Sequence, residues 1–270
     1  MINLGLNRKI SNVLSKNLND PESDIYKEIS SIAGETTESD SIVNTVRKII
    51  EDGRDSITSF VNEDITELGD YAFKDCVNLE HVYLPNCTKL GKDCFQNCTS
   101  LKTLLLPNVT EIANSSHYLD GLSNLEVIDL SSYDSNNYFI DDFGGYYRIS
   151  IIFEQSKFPK LRILSYGIDA LLSGGGDFGW KDLEILVLPN LTGLGHSAGF
   201  IAENIIIPNR LVSNAGSGYL TGKLYVNDDI LSEYQNHENW HFKYDRGEIL
   251  PISQLPQEIR EELELCQIQI

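Results

Sequence analysis

The sequence predicts an α/β solenoid: about seven short parallel strands stacked coil upon coil, preceded by a short helical region at residues 1–56. Three observations lead there. The middle of the chain repeats itself every 22 residues, each copy carries one short run of alternating apolar residues ended by Pro-Asn, and the periodicity before residue 57 is helical instead. With 41% hydrophobic residues in a chain of 270, there is material for a sizeable core, which excludes a disordered chain.

Within residues 1–56, Leu6, Ile10, Val13, Leu14 and Leu18 recur at helical spacing until Pro21 stops the run. A second, shorter face of Ile25, Ile29 and Ile32 ends at Gly34. The third starts from Asp40 as N-cap, continues through Ile42, Val43, Val46, Ile49 and Ile50, and ends before Gly53. Such stripes cap a solenoid or dock on a partner, and their spacing leaves both roles open.

The solenoid is expected at 57–223. Residues 65–86 read ITELGDYAFKDCVNLEHVYLPN and residues 87–108 read CTKLGKDCFQNCTSLKTLLLPN, without a gap. Leu68, Phe73, Cys76, Leu79 and Leu84 return as Leu90, Phe95, Cys98, Leu101 and Leu106, and these ten form the expected core. A third copy keeps the pattern at Val109–Ile112 and Leu122–Leu130, and looser copies follow at 161–164, 183–189, 205–208 and 224–226. One copy cannot bury its own apolar face, so stacked copies must share a core. Pro after each strand removes a ladder donor, and Asn after it suits the turn conformation, so each unit reads as strand, corner and return arm.

Two stretches break the rhythm. Residues 131–158 form an insertion rich in aromatic side chains, of which Phe139 and Phe143 are expected to pack inward and Tyr133, Tyr138, Tyr146 and Tyr147 to offer contact surface. A glycine-rich loop at 173–180 ends in Trp180, a fifth candidate contact. Its Gly-Gly-Gly-Asp lacks the Gly-Lys-Ser/Thr of a phosphate loop. Residues 224–255 are expected to cap the solenoid with a strand, a short helix carrying Tyr234 and the Asn239-Trp240 pair, and 256–270 to form an acidic tail with a short helix.

Little in the chain points to chemistry. His237 and His241 are spaced i, i+4 without the Glu and third ligand of a zinc protease, and no Gly-x-Ser-x-Gly elbow occurs. The five cysteines are odd in number, and Cys76, Cys87, Cys94 and Cys98 fall within 23 residues. They are expected to be reduced, with Cys76 and Cys98 as buried fillers at one repeat position and Cys87 and Cys94 partly exposed. Asp134, Asp141 and Asp142 lack the spacing of a calcium loop. No catalytic, metal or cofactor residues are therefore assigned, and the chain is not expected to be an enzyme. A net charge of −19 disfavours nucleic acid and anionic membranes as partners. No stretch approaches the roughly 20 apolar residues of a spanning helix, and Met1–Leu18 does not read as a signal peptide.

The run Leu68-Gly69-Asp70-Tyr71-Ala72-Phe73-Lys74-Asp75-Cys76-Val77-Asn78-Leu79-Glu80-His81-Val82-Tyr83-Leu84-Pro85 resembles the BspA-type leucine-rich repeat, strongly over 65–130 and traceably to about 252. The resemblance implies a right-handed solenoid used for recognition and supplies no catalytic residues. Residues 25–34, Ile49–Gly53, Ile57-Thr58 and Asp64–Thr66 resemble the leader of phage-encoded leucine-rich proteins found among tail genes. That second resemblance implies a virion component such as a tail fibre, baseplate or receptor-binding protein. Its partners would be other virion proteins, through the N-terminal helices, and a host-surface protein or glycan, through the solenoid. The alternative is a BspA-like adhesin at the bacterial cell surface, or another protein-interaction module.

Three apolar stripes exceed what one cap requires, so residues 1–56 are expected to self-associate or dock onto a larger particle. Light scattering on the full chain and on a chain beginning at Asp55 checks this: the full chain should be a homo-oligomer and the shortened one a monomer. Two monomers would reduce the helices to a cap.

Overall fold

The computed structural model describes residues 57–113, 119–133, 139–140, 146–147, 157–167, 183–191, 193–194, 199–209, 213–214, 219–236 and 248–270. The helical stripes expected in 1–56 lie outside them. In chain order the strands are β1 (Ser59–Val61), β2 (Glu67–Leu68), β3 (His81–Tyr83), β4 (Lys89–Leu90), β5 (Thr103–Leu105), β6 (Glu111–Ile112), β7 (Val127–Leu130) and β8 (Phe139–Ile140). They continue as β9 (Tyr146–Tyr147), β10 (Ile163–Tyr166), β11 (Ile185–Val187), β12 (Gly193–Leu194), β13 (Gly199–Ile207), β14 (Ser213–Asn214), β15 (Tyr219–Val226) and β16 (Ile249–Pro251). Two short α-helices follow β15 and β16, α1 (Leu231–Asn236) and α2 (Gln257–Leu265).

The solenoid fold is present. One nine-stranded sheet runs in the order β1-β3-β5-β7-β10-β11-β13-β15-β16, and every neighbouring pair in it is parallel. The seven strands expected near 82, 104, 128, 163, 186, 206 and 225 are there, with one more at each end. β1 precedes the first full repeat, and β16 follows a segment that no repeat covers, so neither announces itself by periodicity. β15 and β16, within the segment 224–255 expected as a cap, continue the same sheet.

Successive strands are in register, so each repeat position becomes a column. Phe60, Val82, Leu104, Ile128, Leu164, Leu186, Ile205 and Leu224 align across the sheet and belong to one buried core. Leu68, Phe73, Cys76, Leu79, Leu84, Leu90, Phe95, Cys98, Leu101 and Leu106 join it, none more than 3% exposed. Phe73 and Phe95 stack with ring centroids 5.4 Å apart, and Phe60 meets Phe73 edge-on at 4.8 Å.

The return arm has its own order. β2, β4 and β6 form a second parallel sheet of two-residue strands, too short to show as alternation in the sequence. Between them the arm turns through left-handed residues at repeating positions: Tyr71 and Asp93 share one, while Asp75, Asn97 and Gly121 share another. Gly91 is required by a close approach, since a Cβ there would lie 2.3 Å from the Gly69 carbonyl carbon. Asn86, Asn108 and Asn190 lie in the turn expected after each Pro, and the side chain adds a second role. The backbone there is not left-handed, and Asn86 Nδ2 donates to Glu63 O at 2.8 Å and Asn108 Nδ2 to Pro85 O at 2.7 Å. The side chain thus ties each corner to the coil before it.

The cysteines are free thiols. Cys98 Sγ donates to Phe73 O at 3.0 Å inside the core. Cys87 and Cys94, expected to be partly exposed, are 0% and 1% exposed. Both occupy repeat columns after all: Cys87 stands where Ile65 and Val109 stand, and Cys94 where Ala72 stands. Burial pushes both thiols up, Cys94 furthest.

At the far end Tyr234 of α1 is buried, and its hydroxyl donates to Asn209 O at 3.1 Å; Asn239 and Trp240 lie outside the described residues. Residues 256–270 carry α2 and pack against the sheet. Leu255, Leu263 and Ile268 are each at most 4% exposed, packed on the outer face of the sheet.

Leu104 lies in the inner column with 0% exposure. Leu104→Asp should lower stability by more than about 3 kcal/mol, because it removes a packed side chain and buries an unpaired carboxylate. A urea titration of both proteins, read as the shift in midpoint, measures the loss.

Candidate functional site

A sheet that curls around a core has a second face, and here that face changes character along the stack. In parallel register, one outer column runs His81, Thr103, Val127, Ile163, Ile185, and the other runs Val61, Tyr83, Leu105, Asp129, Ser165, Val187. At β1 and β3 the face is open: Val61 is 62% exposed, His81 is exposed and Tyr83 half-buried. From β5 onward it is mostly apolar and covered. Leu105, Val127, Ile163, Ile185, Val187, Ile206 and Tyr225 form a buried cluster separate from the inner core.

The cover is the chain's own end. After Pro251 a 3₁₀ turn (Ile252–Gln254) leads into α2, and Leu255, Leu263 and Ile268 press onto the cluster. Polar contacts hold it at several points. Ser253 N donates to Asp228 Oδ1 at 3.0 Å, and with the Ser253 hydroxyl this keeps the Asp228 carboxyl below the usual range. Within the cover itself, Arg260 donates from Nε to Leu255 O at 3.2 Å, and from Nη2 to Ile252 O. Arg162 reaches Glu184 Oε2 at 3.3 Å and also pairs with Glu262 of α2.

Under the cover sit two polar groups where an apolar side chain would fit. Asp129 and Ser165 are opposite one another on β7 and β10, 1% and 0% exposed. Asp129 Oδ1 accepts from Ser131 N at 3.0 Å. Burial pushes its carboxyl up, against the opposing pull of the Ser131 hydroxyl and amide and of the Ser165 hydroxyl. Ser165 Oγ completes no hydrogen bond of ordinary geometry. Cys266 lies close enough that Asp129 and Glu262 raise its thiol, secondary to its own burial.

The aromatic contact candidates fare unevenly. Tyr133 is a correction: it is 2% exposed and faces Tyr166 in the core, with ring centroids 6.5 Å apart. Its amide donates to Leu130 O at 3.0 Å, as Cys87 does to Leu84 O and Val109 to Leu106 O. The repeat frame therefore runs three residues past Leu130, and Tyr133 is its next core position. Tyr146 and Tyr147 form β9, which pairs antiparallel with β8, so the insertion contains a small hairpin of its own. Tyr138, Trp180, Phe143 and the acidic cluster Asp134, Asp141 and Asp142 lie outside the described residues. Among the described residues no cluster of His, Cys, Asp and Glu could hold a metal ion. Sequence reasoning missed the covered face itself. Its one signal is that Val127, Ile163, Ile185 and Val187 are apolar where an exposed face would be polar.

Residues 53–142 match the family described as BspA type Leucine rich repeat region, in six copies. No curated protein matches the chain. Among solved structures, a leucine-rich repeat protein from Bacteroides ovatus is similar at 16% identity with a TM-score of 0.26, over 62% of this chain and 63% of that one. This chain thus spans less than two thirds of that relative. An internalin from Listeria monocytogenes is similar at 12% identity with a TM-score of 0.31, over 82% of this chain and 73% of that one.

Because the folded protein holds the Asp129 proton more tightly than the unfolded chain does, that carboxyl favours folding below the ordinary carboxylate range, near pH 4. The advantage is lost as pH rises through the raised value. Asp129→Asn keeps an acceptor for Ser131 and carries no charge, so at pH 7 it should be more stable than the parent by on the order of 1 kcal/mol. The gap should close towards pH 4. Denaturation midpoints of both proteins at pH 4, 5.5 and 7 test the sign.

Proposed function

We propose that this chain is a non-enzymatic recognition module, whose solenoid presents a continuous surface to a protein or glycan on a cell surface. The observation that carries the reading is the construction of the outer sheet face. Nine parallel strands make it one continuous face, one end of it is open at Val61, His81 and Tyr83, and the largely apolar remainder already takes a peptide segment. Surfaces of this kind bind by shape and by aromatic anchors. Tyr138, Tyr146, Tyr147 and Trp180 remain proposed contacts. The match to BspA-type repeats supports an interaction or adhesin-like role.

A finer reading makes the chain a virion component, held on a phage particle through residues 1–56 as a homo-oligomer. It rests on the leader resemblance at 25–34, 49–53, 57–58 and 64–66. Immunogold labelling of purified particles tests it: label on tails supports the reading, and label on the bacterial cell surface favours the adhesin.

For the recognition role, fluorescent full-length protein should bind intact bacterial cells saturably. Val61→Asp with Tyr83→Ala should weaken that binding by roughly tenfold while leaving the fold intact, the loss of one central contact. Protease treatment of the cells abolishes binding to a protein ligand, and periodate abolishes binding to a glycan. A folded chain that binds no cells rejects the role.

A further inference from the structure

The segment after β16 differs from everything else in the fold. The solenoid is held by an inner core to which residues 252–270 contribute nothing, and the outer cluster they cover is separate from it. Its helix α2 is nine residues long, and Pro256 at its N-cap position makes no side-chain capping bond. Glu261, Glu262 and Glu264 stand near its C-terminal end, where the helix dipole is already negative. Helices shorter than about 12 residues do not hold themselves in water. α2 therefore exists because the sheet face supports it.

The face, in turn, is built for such a guest. Val187, Ile163 and Ile206 are 0% exposed beneath it, an apolar floor that an open solenoid would not keep. At its edge Arg162 is shared between Glu184 of the solenoid and Glu262 of the guest, so the groove reads a carboxylate as well as apolar side chains. Closing the segment also buries Asp129 and Ser165, polar groups that water satisfies better.

We propose that residues 252–270 are a strap that lifts from the sheet face as a unit, and that the groove beneath is a docking site for a short acidic amphipathic helix. The strap is the resident ligand in cis; a partner helix carrying an apolar pair and a carboxylate for Arg162 replaces it in trans. The inference deepens the recognition reading, but its test uses the chain's own peptide and no cell, so either can fail alone.

The reporter is a thiol under the strap. In the full chain carrying Val187→Cys and Cys266→Ser, labelling of residue 187 reads lifting of the strap, and Cys76, Cys87, Cys94 and Cys98 read opening of the solenoid. Under native conditions we expect residue 187 to react at least about tenfold faster than the four core thiols, as a locally opening unit does. Adding Leu263→Asp should speed residue 187 further and leave the core thiols protected. A synthetic peptide of residues 252–270 should then bind this variant saturably and restore protection, whereas the same peptide with Glu262→Lys should not. If residue 187 and the core thiols react at one common rate, or if Leu263→Asp exposes all of them together, the segment is part of one cooperative fold and the proposal is overturned. Independent lifting without peptide binding overturns the docking site.

Discussion

Everything in this structure depends on the backbone ladder between one coil and the next. A three-residue strand cannot stand alone, and a 22-residue unit has only one apolar side. Stacked in parallel register, however, the units hydrogen-bond along both the main sheet and the return arm, and every side chain meets its own counterpart. The consequences follow position by position. Where the counterpart is apolar, as for Phe73 and Phe95, rings stack into a column. Where it is polar, it bonds: Asn97 Nδ2 donates to Asp75 Oδ1 at 2.8 Å, and Thr88 Oγ1 to Thr66 O at 3.1 Å. Where it is charged, sign alternates, as in Lys102 to Glu80 at 2.8 Å and Lys89 to Glu111 at 3.6 Å. These exposed pairs add little energy, but like charges in the same column would oppose the register.

The same constraint creates the outer face. A sheet whose inner side must be Val, Leu and Ile has a second side that the register also aligns, and this chain leaves one end of it to solvent and fills the rest with apolar groups. Such a face requires a cover. The chain supplies it from its own end, with a nine-residue helix closed at its C-terminus by the Ile268 amide donating to Leu263 O at 2.9 Å. The result is an inner core and a separate outer cluster on the two faces of one sheet.

The repeat was legible because 22-residue identity needs no folding to be seen. It named the strands, the core positions and the parallel register. Its errors have one source: the frame was cut too early at both kinds of boundary. Tyr133 looks like the first aromatic of an insertion, yet it occupies the column of Cys87 and Val109. Cys87 and Cys94 look like extras beside the Cys76–Cys98 pair, yet each replaces an apolar residue of another coil. The ends escaped for a different reason, because β1 and β16 are strands by virtue of a neighbour that supplies their hydrogen bonds.

By itself, then, the sequence determined the coil length, the direction of the strands and which side chains form the inner columns, since each is a local pattern repeated until only one stacking satisfies it. What only the tertiary structure decided is the fate of residues that obey no repeat. The segment 252–270 is acidic and short, and nothing in its spacing distinguishes a solvated tail from a packed strap. Its short helix packs where Leu255, Leu263 and Ile268 find the apolar face and Glu262 finds Arg162. That partner is close to 100 residues away in sequence and adjacent only after the coils have stacked.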